Sequence, residues 1–214
     1  ANLGLLCYFK YTNFFLASLE AALHRCGAAT SIPLLQILAP IGISFYTFEA
    51  INYVVDVYRG KVRAERTLAN FMLFILFFPH LVAGPIVRAR DFLPQVRRRK
   101  RWDWPRVQLG VRFFLMGLFK KWVIADRMAL FADPVFHSPI SYGAAATWMA
   151  VIAYSLQIYG DFSGYTDMAI GAAHLLGYRL AKNFDMPYLS KNVSEFWRRW
   201  HISLSSWLRD YLFI

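Results

Sequence analysis

Cysteine is nearly absent from this chain: Cys7 and Cys26 stand alone among 214 residues, with no C-x-x-C spacing. That excludes a disulfide framework and a cysteine zinc site, and the pair reads as packing residues. The five histidines form no H-x-x-x-H pair, so no metal is expected. Acidic residues are also scarce, 13 against 24 Lys plus Arg, for a formal charge of +11. Such an excess can signal nucleic acid, but beside apolar segments it reads as basic cytoplasmic loops, and no nucleic-acid partner is expected. There is no internal repeat, no low-complexity tract, and no charged n-region leading to a cleavage site. The sequence starts at Ala1 and stops at Ile214, just past a polar helix. It is therefore expected to be a piece of a longer protein, incomplete at both ends.

What is abundant is apolar and aromatic: 57% hydrophobic residues and 18% Phe, Trp and Tyr. This points to an all-α, polytopic helical membrane protein, residues 1–214 forming one membrane domain. Residues 1–24 suit a helix leaving or skirting a membrane. Residues 34–58 are long enough to span, although Glu49, Asn52 and Asp56 make the second half polar and should face protein. Residues 70–87 are apolar but broken by Pro79, His80, Gly84 and Pro85 and flanked by basic segments, as in a re-entrant hairpin or a kinked span. Arg97, Arg98, Arg99, Lys100 and Arg101, followed by Trp102 and Trp104, read as a cytoplasmic loop meeting anionic headgroups. Residues 107–126 form an interfacial or bundle-packed helix. Residues 144–159 carry no charge and make the cleanest span, ending in DFSGYTD, where Gly164 breaks the period before a second helix over 168–176. Pro187 favours an extended or turning path at Met186.

The most informative stretch is 195–211, EFWRRWHISLSSWLRDY, with five charges, a histidine and three tryptophans. Read as one helix, it has Phe196, Trp197, Trp200, Leu204, Trp207, Leu208 and Tyr211 on one face. Arg198, His201, Ser205 and Arg209 share a polar arc, and Glu195 and Arg199 sit at the favourable i,i+4 spacing. Its cap falls on Ser190, Asn192 or Ser194. Charges cost roughly 2.5–3.5 kcal/mol each at mid-bilayer, so this helix is shielded, lines a wet cavity, or lies at the interface as an anchor.

His201 is the first candidate for proton transfer, since an imidazole titrates near working pH and this one is set among other polar groups. Ser205, one turn on, could form a nucleophilic Ser–His pair, or simply bond the preceding carbonyl. Arg198 and Arg209 could hold an anionic donor, or pair with Asp161, Asp167 or Asp210. Asp161 and Asp167 are candidates as carboxylates near the membrane boundary, with structural pairing to nearby arginines the alternative. His80 is placed to satisfy backbone groups freed at a helix break, and His24, His137 and His174 receive no role.

Five ordered blocks carry a resemblance: PIGISFYTFEAINYVVDVYRG, FFPHLVAGPI, DFSGYTDMAIG, NFDMPYLSKN and FWRRWHISLSSWLRDYLFI. Together they resemble the membrane-bound O-acyltransferases, in particular the bacterial polysaccharide branch that includes alginate acetylation. The resemblance implies a helical protein of the bacterial inner membrane, with buried helices around a tunnel. It implies transfer of an acetyl group from an acyl thioester, acetyl-CoA or similar, toward hydroxyls of an extracytoplasmic polymer, with no bound cofactor. Implied partners are membrane lipid and extracytoplasmic acetyl-transfer and polysaccharide-assembly proteins. Its Trp-His-Ser block falls on Trp200, His201, Ser203, Leu204 and Ser205, making His201 one of two histidines tied to the reaction. The other belongs to a tryptophan-histidine-glycine segment expected beyond Ile214. D-alanyl transfer to teichoic acid, acylation of another glycan, a transporter and a non-catalytic docking scaffold are the competing readings.

Overall fold

The computed structural model describes residues 2–27, 30–38 and 40–213, all helix, turn or irregular chain, with no strand among them. Ala1, Ala39 and Ile214, which fall within segments read above, lie outside the described residues. The all-α expectation therefore holds. No described helix is long and apolar enough to cross a membrane.

Helix α1 (Asn2–Arg25) buries none of its residues and reaches the rest through α2 (Ile43–Tyr58). The helix expected over 34–58 thus starts only at Ile43, and its 16 residues rise about 24 Å, short of the ~30 Å hydrocarbon layer. Its polar positions behave as expected: Glu49, Asn52 and Asp56, spaced for one helical face, are each at most 1% exposed. Residues 70–87 break into α3 (Leu68–Ile75) and α4 (Phe78–Leu81), followed by extended chain into α5 (Ala89–Val96). Pro79 sits in the first turn of α4, where its missing N–H costs nothing. These pieces close a small core of Phe74, Phe77, Phe92, Leu93 and Ala173, with Tyr178 stacked on Phe92 at 5.1 Å.

The main body is an antiparallel pair. Helix α6 (Trp104–Phe119) runs through a π-helical segment, Lys120–Ala125, into α7 (Asp126–His137), and all three lie along α8 (Ala144–Leu175). Here the sequence reading needs correction, because Gly164 does not end a helix: α8 is continuous for 32 residues, about 48 Å. Its glycines serve close approach instead. A Cβ on Gly164 would stand 2.7 Å from the Gly117 carbonyl oxygen, and one on Gly171 would stand 2.6 Å from that of Gly110. The two contacts lie seven residues apart on each helix, so one small-residue seam joins them.

The final segment also departs from expectation. Residues 195–211 are not one helix but two, α9 (Val193–Arg199) and α10 (Ile202–Leu212), with Trp200 extended and His201 left-handed at φ 44° between them. The single helical wheel fails across that break. Asn192 supplies the N-cap of α9, accepting from the Glu195 N–H at 2.8 Å, and Glu195 in turn accepts from the Lys191 N–H at 3.0 Å and pairs with Arg199 at 2.6 Å. Met186 turns rather than extends, with φ 46°.

Candidate active site

The break between α9 and α10 is held open by residues 183–185, which run alongside it. The Ile202 N–H donates to the Asn183 carbonyl at 2.9 Å, and the Asp185 N–H donates to the Arg199 carbonyl at 2.9 Å. His201 is therefore clamped on both flanks in a conformation that costs a non-glycine residue on the order of 1–2 kcal/mol. The Asn183 side chain, fully buried, completes the clamp. Its Oδ1 accepts from the Ser203 N–H at 3.0 Å and from the Ser203 hydroxyl at 2.9 Å, and lies 3.2 Å from His201 Nδ1. Ser203 Oγ accepts from the Ile86 N–H at 3.0 Å, which ties the broken 70–87 region to this junction.

Aromatic side chains wall the histidine. Phe162 of α8 meets the His201 ring edge to face at 4.7 Å, and Phe184, Tyr159, Tyr188, Phe196 and Trp200 extend the cluster. Two of the recognised sequence blocks thus converge: Phe162 comes from DFSGYTD and His201 from WHISLSS. Burial pushes the His201 imidazole down to about 4, leaving it neutral at pH 7.

Beside this junction opens a cavity of about 520 Å³, lined by Asn183 and Phe184 together with Tyr159, Lys120, Asp167 and His174. That volume lies in the range that holds a small ligand or the reactive arm of a larger one. A smaller cavity of about 100 Å³ runs past Ile202 and Ser203 on the other side.

The remaining sequence candidates separate. Asp167 lines the larger cavity and pairs with Lys120 at 2.5 Å; Asp161 pairs with Lys121 at 2.6 Å, and Lys121 also reaches Asp126 at 2.7 Å. Both carboxylates are thus structural partners of the π segment, and of lysines rather than the arginines expected. Arg209, 72% exposed, pairs with its neighbour Asp210, which also takes Arg88 at 2.6 Å. Arg198 is exposed on α9 and, because the helix breaks, shares no arc with His201. The Ser205 hydroxyl points to the Trp200 carbonyl at 3.3 Å, matching the packing alternative rather than a Ser–His pair. His80 is fully buried at the helix break, with its Nδ1 3.1 Å from Glu49 Oε1. Sequence reasoning gave no role to Asn183, Phe162, Lys120 or Lys121. For Asn183 the available signal was its place in the NFDMPY block, one of the five that carry the family resemblance.

The family model for membrane-bound O-acyltransferases matches residues 61–214, which include every residue of the histidine clamp. The chain belongs to the membrane-bound O-acyltransferase family. Within that family it is 47% identical, over its whole length, to the probable alginate O-acetylase AlgI of Pseudomonas syringae pv. tomato, covering 40% of that protein. It is 38% identical over its whole length to the peptidoglycan O-acetyltransferase of Helicobacter pylori, covering 45% of it. Over 84% of its length it is 30% identical to the teichoic acid D-alanyltransferase of Bacillus subtilis, covering 46% of that chain. The chain thus spans less than half the length of these curated relatives.

Proposed function

We propose that the chain is part of an inner-membrane, multi-pass O-acetyltransferase that transfers an acetyl group from an acyl thioester to hydroxyls of an extracytoplasmic polysaccharide such as alginate. The observation that carries this is a half-buried, neutral His201 in contact with Asn183, which itself lines a ligand-sized cavity. Such an imidazole can take the proton of an acceptor hydroxyl as the oxygen attacks the thioester carbonyl. The C–S bond then breaks and the proton passes to the departing sulfur. In the intact enzyme His201 acts there directly or orients the second histidine. Arg198 and Arg209 serve a donor only from the rim, given their exposure. The basic run 97–101 with exposed Trp102 and Trp104 meets lipid headgroups, and the export and assembly proteins of the polymer are the expected partners.

Acetyl transfer is favoured over D-alanyl transfer because the O-acetylating relatives match more closely and over more of the chain. The test is His201→Asn in the intact protein, with membrane abundance confirmed and polymer O-acetyl quantified. Acetylation should fall by about 100-fold or more. Unchanged acetylation rejects the assignment, and acyl analysis showing D-alanine transfers it to the sister activity.

A further inference from the structure

Three groups at the His201 junction meet one oxygen, Asn183 Oδ1: the Ser203 N–H, the Ser203 hydroxyl and His201 Nδ1. We propose that Asn183 is the positioning residue that fixes His201 as the Nδ1–H tautomer and so leaves Nε2 as its proton-accepting atom. A backbone N–H can only donate, so the atom 3.0 Å from the Ser203 amide is the oxygen of the Asn183 amide, not its nitrogen. The Ser203 hydroxyl, already accepting from Ile86, sends its own proton to the same oxygen. Rotating the amide would set its NH2 group against two fixed donors. With the oxygen thus assigned, His201 Nδ1 at 3.2 Å must carry a hydrogen to bond it, and a neutral ring then has its lone pair on Nε2.

The same residue holds the backbone: its carbonyl takes the Ile202 N–H, so main chain and side chain of Asn183 together set both the conformation and the proton placement of His201. The charged groups on the elements meeting there are Glu195, Arg198 and Arg199 on α9, Lys182 and Asp185 on the adjoining segment, Asp161 and Asp167 on α8, and Arg209 and Asp210 on α10. Glu195 with Arg199, Lys182 with Asp185, and Arg209 with Asp210 are ion-paired, while both α8 carboxylates are taken by lysines. Burial is the cause of the lowered imidazole basicity.

The catalytic consequence rests on the acyl-transfer reading, but the tautomer does not, and two readouts keep them apart. In membranes holding the intact protein with 15N-labelled histidine, solid-state NMR at pH 7 should show Nδ1 protonated and Nε2 bare for the resonance that His201→Asn removes. An Nε2–H ring overturns the proposal. For transfer, Asn183→Asp keeps the acceptor but adds a negative charge, favouring imidazolium, so the acid limb of the rate should move up by about one pH unit or more. Asn183→Leu should lower kcat about tenfold or more with KM little changed, and let the Nε2–H form appear. An unmoved limb in Asn183→Asp, or wild-type rate and tautomer in Asn183→Leu, also overturns it. The isosteric Asp variant decides the matter if the Leu variant fails to accumulate. The stated tautomer in a protein without acyl transfer would sink the functional reading and leave the positioning intact.

Discussion

Substituting Gly117 by Ala should damage this protein far more than a single methyl suggests. The added Cβ would stand 2.4 Å from the Gly164 carbonyl oxygen and 2.7 Å from the Met168 N, both backbone atoms that no rotamer change can move. An ordinary contact needs about 3.4 Å or more, so α6 and α8 must separate locally by roughly 1 Å. Overpacking of that kind costs about 1–3 kcal/mol, of which the better helix propensity of Ala returns at most ~1 kcal/mol. Separation also strains the contacts one turn on, Lys120 with Asp167 and Lys121 with Asp161. We expect Gly117→Ala to lower the midpoint of thermal inactivation in detergent, read by fluorescence-detected size exclusion, by several degrees. Gly4→Ala, on exposed α1 with nothing within 4 Å, is the control and should be neutral or slightly stabilising. If both variants behave like wild type, the close glycine seam is not what joins these helices.

Other consequences follow from the buried polar groups. Lowering pH should leave His201-dependent transfer intact through pH 6 and fail near 4, because the imidazole stays neutral until about 4; a limb at 6.5 in the wild type contradicts its burial. The same group binds protons more readily in the unfolded chain, so its contribution to stability is full above about 6.5 and is lost as pH falls toward 4; a stability–pH curve measured against His201→Asn checks that sign. Ser203→Ala should cost about 1–3 kcal/mol by orphaning the Ile86 N–H, whereas Ser205→Ala should stay within ~0.5 kcal/mol and retain acyl transfer. Loss of activity with a trapped acyl group on Ser205 would reverse that assignment. His80→Ala opens a cavity at a fully buried site packed on Phe77 and Phe92 and should cost about 2–5 kcal/mol, measurable as lost membrane abundance.

Much of the architecture was legible in the residues. Helical periodicity, the buried faces of Glu49, Asn52 and Asp56, and the Glu195–Arg199 pair all come from spacing. The failures share a cause: contacts distant in sequence decide local conformation. Gly164 looks like a breaker in isolation, yet packing against Gly117 makes a glycine the one residue that lets α8 continue. The periodicity across 195–211 is genuine, but hydrogen bonds from residues 183–185 split the helix at Trp200 and His201. Asn183 stood in a motif block but carried no legible role, because that role is to receive donors from a segment 18 to 20 positions away.

The left-handed backbone at His201 bears on how any substitution scan of this protein is read. Alanine at that position removes the imidazole and also places a Cβ-bearing residue with poor tolerance for φ 44° at the hinge of the clamp. Lost activity would then report a relaxed hinge as much as a missing base. Asparagine tolerates that region, and glycine enters it freely. A set of His201→Asn, His201→Gly and His201→Ala separates the two origins: equal loss in all three assigns the chemistry to the ring, while a graded loss, greatest for alanine, exposes the share owed to chain geometry.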